Sequence, residues 1–496
     1  MRSSGILLSL TSLPSPYGIG CMDQHAYRFI DQLQKAKQKY WQILPLGVTG
    51  YGDSPYQSFS TYAGNPYLIS LDDLVEQGWL YKEELEVIDV KEIDYEALYH
   101  SRYPLLKKAY ERSHIQEKEA FQLFCKQNWW LDDYALFMSL KEHFHGVCWN
   151  EWPLCYRYKE KDAIQKIKEA LKEEVLYHKF IQYVFWNQWD ALKKYANDHD
   201  VQIIGDIPIY VAYDSADVWS FPQLFQLDEY CQMKAVAGCP PDGFSANGQL
   251  WGNPLYNWDM HKKEHFAWWL ARIRACSQHY DVVRIDHFRG FDEYFSIPAK
   301  DDTAKNGHWE QGPGMELFEA IQRCLPKVSI IAEDLGFVSE SVKELVRQSQ
   351  YPGMKVFQFG FDARDENGAL QYQPHKYPNH CVAYTGTHDN ETMMGWFHSI
   401  TSEEKQILKQ YLYYDGDDDK ELLDRCIEVV MMSHANLCII PMQDYLGLGN
   451  EARMNVPNTL GRNWKWRMQK DAFDTSLVEK IKQLTIQSNR CQEDLS

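Results

Sequence analysis

The chain has 496 residues, 45% of them hydrophobic, so it is long enough for a large core and its composition excludes a disordered polypeptide. Its formal net charge of −19 at pH 7 disfavours nucleic acids and anionic membrane surfaces as partners, and it favours a neutral or cationic ligand. No stretch approaches the ~18 consecutive apolar residues that a membrane span requires.

Eight short apolar runs have the composition of buried strands, and helix-like stretches such as 23–39, 264–279 and 339–350 lie between most of them. In chain order the runs are GILLSL (5–10), YWQILPL (40–46), VQIIGDIPI (201–209), DVVRID (281–286), VSIIAED (328–334), KVFQF (355–359), CVAYTGT (381–387) and LCIIPM (437–442). The first run is too short for the core of a signal peptide. Eight β–α units predict a (β/α)8 TIM barrel, with residues 1–496 as one discontinuous catalytic domain.

Two of the gaps between these runs are much longer than a barrel requires. Residues 66–200 contain helical, charged and Trp-rich segments, which predict a helical subdomain inserted after the second strand. Residues 210–263 form a second insertion, after the third strand. It includes 240–258, which is rich in Gly, Pro, Asn and aromatic residues and is typical of an active-site loop.

The cysteines and acidic runs give no indication of a metal or cofactor. The twelve cysteines include no CxxC pair, which argues against a disulfide framework and a zinc site and favours reduced thiols in the cytoplasm. The acidic run DGDDDK (415–420) is interpreted as a solvated turn and not as a calcium loop. We therefore expect a cytoplasmic protein without metal or cofactor. The 17 Trp and 32 Tyr suit either core packing or stacking on sugar rings.

Carboxylates stand at the ends of several predicted strands, where barrel enzymes keep their catalytic residues. They are Asp206, Asp286, Glu333 with Asp334, and Asp389. A pair of carboxylates is what glycoside cleavage requires, one as nucleophile or base and one as proton donor. Arg284 lies on the same strand face as Asp286. The arginine therefore either forms a structural ion pair with this aspartate or keeps it ionised as a nucleophile. The residues alone do not choose between Glu333 and Asp334 as the acid.

Several motifs together resemble a known enzyme family. DVVRIDHFRG, IIAEDLG and AYTGTHDN are similar to motifs of the α-amylase clan, and three further segments resemble its amylomaltases, the 4-α-glucanotransferases or disproportionating enzymes. These segments are GYGDSPYQSFSTYAGNPYLIS (50–70), PPDGFSANGQLWGNPLYNW (240–258) and NVPNTLGRNW (455–464). The resemblance covers nearly the whole chain, and it implies that no separate C-terminal β-domain follows the barrel. Asp206, at the end of the third predicted strand, is not followed by a histidine. This feature favours amylomaltases over amylases.

The resemblance implies roles for individual residues. It makes Asp286 the nucleophile, Glu333 the acid/base and Asp389 the stabiliser of the transition state. Its implied substrate-binding residues are Tyr56, Arg284 and His388 at the cleaved sugar, Phe244 and Trp251 on the acceptor side, and also Asn458 and His287. His287 is equally compatible with a neutral supporting role beside Asp286.

The predicted reaction is transfer of α-1,4-glucan segments between maltooligosaccharides or starch- and glycogen-type glucans, by a retaining double displacement. An aromatic loop over the acceptor side would favour a sugar hydroxyl over water. The alternatives are an α-glucan hydrolase or phosphorylase of the same clan and a non-catalytic glucan-binding protein. No obligate protein partner is implied, and neither nucleic acid nor membrane is expected to bind.

Overall fold

The computed structural model describes residues 2–241, 246–336, 338–363 and 366–491 of the chain. No helix in this part of the chain is both long and apolar enough to cross a membrane. Twelve strands are present in it, arranged in two sheets of eight and four strands.

The larger sheet is a parallel, nearly closed barrel. Its strands are β1 (Ser3–Leu7), β2 (Tyr40–Gln42), β3 (Gln202–Ile207), β6 (Val282–Ile285), β9 (Ser329–Ala332), β10 (Gly353–Val356), β11 (Cys381–Tyr384) and β12 (Leu437–Pro441). The order around the barrel is β10-β11-β12-β1-β2-β3-β6-β9, and β9 and β10 are linked by a backbone hydrogen bond from Ala332 to Pro352 (3.0 Å). Each of the eight predicted runs contains or overlaps one of these strands, so the predicted (β/α)8 barrel is confirmed.

The smaller sheet is antiparallel and has the order β5-β4-β7-β8. Its strands are β4 (Ala235–Cys239), β5 (Gln249–Pro254), β7 (Glu293–Pro298) and β8 (His308–Gln311). The first two lie in the predicted insertion after β3 (210–263), and β5 falls within its predicted active-site loop (240–258). The last two come from the segment after β6. Sequence analysis missed this second contribution, because β7 and β8 are short, half-polar strands that give a weak periodicity signal.

Nineteen α-helices connect the strands in the described chain. They are α1 (Gln24–Lys35), α2 (Leu71–Glu76), α3 (Tyr95–Ser113), α4 (Glu119–Gln127), α5 (Leu131–His143), α6 (Leu154–Arg157), α7 (Lys161–Ala170), α8 (Lys172–Asp198), α9 (Ala216–Ser220), α10 (Trp258–Lys263), α11 (Ala267–His279), α12 (Met315–Cys324), α13 (Glu340–Ser349), α14 (Glu366–Leu370), α15 (Met393–Ser399), α16 (Ser402–Tyr411), α17 (Asp419–Met432), α18 (Met442–Tyr445) and α19 (Thr475–Gln487). Asp, Ser, Asn or Thr side chains cap the N-termini of many of them. These residues are preferred at that position because their side-chain oxygen accepts a hydrogen bond from a free backbone amide.

Residues 66–200, predicted to be an inserted helical subdomain, contain α2 to α8. Helix α8 is 27 residues long and leads directly into β3, so it also supplies the barrel helix before that strand. The described residues after β12, 442–491, contain the helices α18 and α19 and no strand. The division of the chain into subdomains stays a prediction.

The barrel strands are apolar along most of their length, but polar side chains lie below their carboxyl ends. β-branched side chains such as Ile203, Ile285 and Ile331 are buried, which is typical of parallel strands covered on both faces. The buried side chains that interrupt this pattern include Gln42, Asp206, Arg284 and Tyr384 from four different strands. The Tyr384 hydroxyl donates a hydrogen bond to Gln42 (2.8 Å). This polar layer is the floor of the candidate site.

Candidate active site

The backbone places Asp286 and Glu333 on neighbouring strands. Ile285 of β6 pairs with Ala332 of β9, and the ladder continues one residue further because the amide of Glu333 donates to the carbonyl of Ile285 (3.1 Å). Asp286 and Glu333 therefore occupy adjacent positions at the carboxyl rim, about 4.8 Å apart along the sheet at the level of the backbone. Neighbouring strand ends can bring two carboxyl groups close enough for a retaining mechanism of glycoside cleavage.

Arg284 is buried between two carboxylates. Its Nη1 donates to both oxygens of Asp206, at 2.7 and 2.6 Å, and its Nη2 lies 3.0 Å from Oδ1 of Asp286. Asp206 is completely buried, whereas the Asp286 side chain is 29% exposed. One guanidinium therefore neutralises a buried aspartate and also contacts the candidate nucleophile.

The pKa of Asp286 reflects opposing influences. Burial raises it, the nearby charges of Asp206 and Asp389 raise it further, and Arg284 lowers it, so that the pKa is about 6. Arg284 therefore offsets only part of the cost of burying this carboxylate. At neutral pH Asp286 is still mainly ionised, as a nucleophile must be.

Glu333 is the carboxylate that faces Asp286. Its Oε2 accepts a hydrogen bond from the amide of His287 (2.6 Å), and its Oε1 accepts one from the amide of Leu335 (2.8 Å). Burial and the negative charge of Asp286 raise the pKa of Glu333 to about 8, so this group holds a proton at neutral pH. The neighbouring Asp334 accepts from the amide of Met354 (2.6 Å) and lies at the seam between β9 and β10, so the geometry favours Glu333 as the acid.

His287 and Trp251 form a wall beside these carboxylates. The two rings meet edge to face with centroids 4.7 Å apart, and Trp251 lies on β5 of the smaller sheet. Burial lowers the pKa of His287 to about 3, so its ring is neutral. The left-handed backbone of His287 (φ 52°) turns its amide toward Glu333. The structure therefore gives His287 a supporting contact through its backbone, while Phe244 lies outside the described residues.

Asp389 approaches the site from the loop after β11. Its Oδ1 accepts a hydrogen bond from Asn455 (2.6 Å) and lies 3.3 Å from Nε2 of His388. Burial alone would raise the pKa of Asp389, but His388, Asn455 and Arg284 lower it to about 2. Asp389 is therefore a permanent negative charge, suited to stabilising positive charge that develops on a sugar.

Tyr56 links this loop to the barrel floor. Its ring stacks on His388 with centroids 5.0 Å apart and an interplanar angle of 18°. Its hydroxyl donates to Oδ2 of Asp206 (2.9 Å) and lies 3.4 Å from Nδ1 of His388. The structure thus brings together Tyr56, Arg284, His388 and the three carboxylates. The side chain of Asn458, by contrast, is exposed. It lies three residues after Asn455, whose side-chain amide contacts Asp389.

Sequence analysis missed two residues that hold the Asp389 loop. Asn455 is the first residue of the NVPNTLGRNW motif, from which the resemblance named Asn458 as substrate-binding and did not name Asn455. Asp444 is buried in α18, directly after β12, where it accepts hydrogen bonds from the Thr385 hydroxyl (2.6 Å) and the Met393 amide (2.8 Å). It therefore clamps both ends of the loop that carries His388 and Asp389. Only its position after a barrel strand could have indicated this role.

Within the residues that the structure describes, no group of three His, Cys, Asp or Glu side chains is arranged to hold a metal ion.

The comparison with known proteins agrees with this geometry. The family model described as 4-alpha-glucanotransferase matches residues 8–473. The chain belongs to the 4-α-glucanotransferase family. It is 47% identical to the 4-alpha-glucanotransferase of Clostridium butyricum over 98% of this chain and 100% of that protein. It is also 47% identical to the 4-alpha-glucanotransferase of Thermus thermophilus over 94% and 95% of the two chains.

Solved structures give the same result. An amylomaltase from Streptococcus agalactiae in complex with acarbose superposes with a TM-score of 0.95, at 41% identity, and the match covers 99% of this chain and 100% of that one. An amylomaltase from Corynebacterium glutamicum has a TM-score of 0.75 at 18% identity over 99% and 74% of the chains, which shows the shared fold. This family member is a glucan-transferring enzyme, and the resemblance inferred from its motifs is confirmed.

Proposed function

We propose that Asp286, Glu333 and Asp389 carry out the family's transfer reaction on α-1,4-glucans and maltooligosaccharides. The observation that supports this assignment is the pairing of Asp286 and Glu333 on adjacent strand ends, with pKa values of about 6 and 8. At neutral pH the first group is mainly ionised and the second mainly protonated, which are the states that a nucleophile and an acid require.

The first half of the reaction breaks the donor glycosidic bond. Asp286 attacks the anomeric carbon, Glu333 gives its proton to the leaving 4-oxygen, and a covalent glucosyl ester on Asp286 results. Positive charge builds up on the sugar in the transition state. The ionised Asp389 stabilises that charge, and Asn455 and His388 keep Asp389 in place.

In the second half, the 4-hydroxyl of an acceptor glucan gives its proton to Glu333 and attacks the anomeric carbon. The ester breaks, Asp286 is released as a carboxylate, and the new glycosidic bond has the original α configuration. The wall formed by Trp251 and His287 lies beside Glu333, where the acceptor has to enter. This wall favours a sugar over water by positioning it and by excluding solvent.

Incubation with maltotriose alone tests the proposal. Free glucose and a ladder of longer maltooligosaccharides should appear while the total number of reducing ends stays nearly constant, because transfer conserves glycosidic bonds. A steady rise in reducing ends without longer products would contradict transfer and favour an α-glucan hydrolase. The kcat/KM profile should be bell-shaped, with limbs near pH 6 and pH 8 that belong to the coupled carboxyl pair.

A further inference from the structure

Trp251, which forms the wall beside Glu333, lies in an irregular part of β5. The strand partners of Leu250 and Pro254 on β4 are separated by one residue, whereas three residues of β5 separate Leu250 from Pro254. These three are Trp251, Gly252 and Asn253, and Gly252 has a left-handed backbone (φ 76°). Residues in such a β-bulge lie outside the regular ladder, so strand pairing alone does not fix the direction of the Trp251 ring.

The side chain of Asn253 anchors this bulge to other parts of the molecule. Its Nδ2 donates to the carbonyl of Val211 (2.8 Å) and to Oε1 of Gln57 (3.3 Å), and its Oδ1 accepts from Nε2 of Gln57 (3.0 Å). Asn253 is only 5% exposed, so these bonds are largely shielded from water. The indole N–H of Trp251 donates to Gln249 (2.9 Å) on the same strand, and that bond does not connect the bulge to another segment.

Gln57 belongs to the segment that carries Tyr56, on which it directly follows. The backbone around it is fixed by turns, since the amide of Gly50 donates to the carbonyl of Gln57 (3.0 Å) and the amide of Gln57 donates to the carbonyl of Ser54 (3.1 Å). The Gln57–Asn253 amide pair therefore ties the bulge of β5 to the segment whose tyrosine reaches the barrel floor.

The direction of the Trp251 ring matters in the second half of the reaction. The glucosyl ester on Asp286 can be broken by a sugar 4-hydroxyl or by water, and in both cases the attacking oxygen gives its proton to Glu333 and Asp286 leaves as a carboxylate. The two outcomes differ in how the attacking molecule is held. A sugar depends on exact positioning, and a misplacement of about 1 Å can cost about 10²-fold in rate, whereas water needs no such support.

We propose that Gln57 and Asn253 are positioning residues, which direct Trp251 toward the acceptor and thereby set the ratio of transfer to hydrolysis. This role rests on the proposed function, since it requires the glucosyl ester. It needs no contact between either amide and the substrate. Loss of the pair should consequently change the fate of the ester more than its formation.

Isotopically labelled α-glucosyl fluoride, with unlabelled maltotriose as acceptor, measures that fate directly. Initial fluoride release counts the esters formed, labelled glucose counts those broken by water, and labelled maltotetraose counts those broken by the acceptor. Gln57→Met keeps the length of the side chain and removes an amide that bonds to no other residue that the structure describes. It should raise the ratio of labelled glucose to labelled maltotetraose about 3- to 10-fold, the effect of lost hydrogen bonds, with fluoride release nearly unchanged.

Asn150→Ala is the matched control, because it breaks an exposed amide pair with Gln232 and should leave the ratio unchanged. An unchanged ratio in Gln57→Met would overturn the proposal. Asn253→Leu should raise the ratio at least as much, because it also loses the bond to Val211. Gln57→Met decides the question even if Asn253→Leu does not fold, which thermal unfolding shows.

Trp251→Ala distinguishes positioning from a general loosening of the fold. With the ring removed, adding Gln57→Met should raise the ratio no further, because no ring remains to be directed. An equal rise with and without Trp251 would contradict action through this ring. The unmodified protein decides the proposed function separately: labelled glucose without labelled maltotetraose would contradict transfer itself, whereas transfer that Gln57→Met leaves unaltered would contradict only the positioning role.

Discussion

The candidate site is built from two regions that hold their carboxylates in different ways. On the β6–β9 rim, Asp286 and Glu333 follow directly from barrel strands, and the backbone ladder fixes their spacing. On the loop after β11, the position of Asp389 depends on side chains, since Asn455 and His388 contact its carboxylate. Asp444 clamps the ends of the same loop.

The two regions also differ in electrostatics. Burial and neighbouring negative charges raise the pKa values of Asp286 and Glu333, whereas a nearby histidine and hydrogen bonds lower the pKa of Asp389. The rim is therefore arranged for groups that exchange protons or form bonds near neutral pH. The loop is arranged for a group that stays charged throughout. Substitutions on each side should consequently have different signatures.

Asp286→Asn should have the largest effect. Loss of the nucleophile should lower kcat by at least about 10⁴-fold. The thermal midpoint should change little, because Arg284 keeps its two hydrogen bonds to Asp206. Product chromatography and thermal unfolding on the same preparation check both statements. Retention of a tenth or more of the activity would remove Asp286 from the nucleophile role.

Glu333→Gln should lower turnover of maltotriose by about 10²- to 10⁴-fold, the usual contribution of a general acid. A donor with a good leaving group, such as α-glucosyl fluoride, needs no proton, so the variant should still form a glucosyl ester that mass spectrometry detects on Asp286. Asp334→Asn is the matched control, since its amide oxygen can still accept from Met354. If that variant accumulates the ester and Glu333→Gln does not, the acid has been assigned to the wrong residue.

Arg284→Met should affect stability and activity together. It leaves Asp206 buried without a cation, which costs about 3–5 kcal/mol in the free energy of unfolding. Adding Asp206→Asn removes that charge and should restore most of the stability without restoring activity. Arg284 lowers the pKa of Asp286, so its loss should move the acidic limb of the pH–rate profile above pH 6.

Urea unfolding and pH–rate profiles of the single and double variants measure these two effects separately. Recovery of full activity in the Arg284→Met, Asp206→Asn protein would show that the arginine acts only in the fold. A single variant as stable as the unmodified protein would instead contradict the structural ion pair.

Asn455→Ala should have a moderate effect that is confined to the loop. Losing a hydrogen bond to a carboxylate should lower kcat/KM about 10- to 100-fold and raise the pKa of Asp389 from about 2. Asn458→Ala, at the exposed position named by the resemblance, should raise only KM. The two variants can be compared by steady-state kinetics on maltotriose. A larger loss of kcat in Asn458→Ala than in Asn455→Ala would reverse this assignment.

The sequence predicted the rim better than the loop for a physical reason. Strand periodicity and the position of a carboxylate after a β-branched run are local signals, and they located all eight barrel strands, Asp286, and the pair Glu333 and Asp334. Asn455, which contacts Asp389, and Asp444, which holds the ends of its loop, lie more than 50 residues further along the chain. A contact between segments so far apart in the sequence does not produce a periodic pattern of residues.

The smaller sheet illustrates the same limit. Trp251 was assigned to the acceptor side from its motif, but its contact with His287 depends on the antiparallel pairing of four short strands. Two of those strands come from a segment after β6 in which no insertion was predicted. Half-polar strands of four to six residues carry too little pattern to be recognised in advance.

Asp444→Asn should have the smallest effect on activity, less than about tenfold, because the asparagine oxygen can still accept from the Met393 amide. Its clearer effect should be on the pH dependence of stability. Burial raises the pKa of Asp444 to about 6 in the folded protein, against a usual value of 3.8. The folded state therefore binds more protons than the unfolded state between about pH 4 and 6, and this residue makes stability fall as the pH rises through that range.

Asparagine does not titrate, so the variant lacks this contribution. The unfolding free energies of the variant and the unmodified protein should therefore differ little near pH 4. As the pH rises to about 7, the variant should become increasingly more stable than the unmodified protein. Two pKa units correspond to roughly 2–3 kcal/mol. Urea titrations of both proteins at several pH values measure this difference. Glu333 and Asp286 impose a similar trend on both proteins, so only the difference tests Asp444. A difference that is constant with pH would mean that Asp444 has the same pKa in the folded and unfolded protein, and that the clamp on the Asp389 loop is held by an ionised carboxylate.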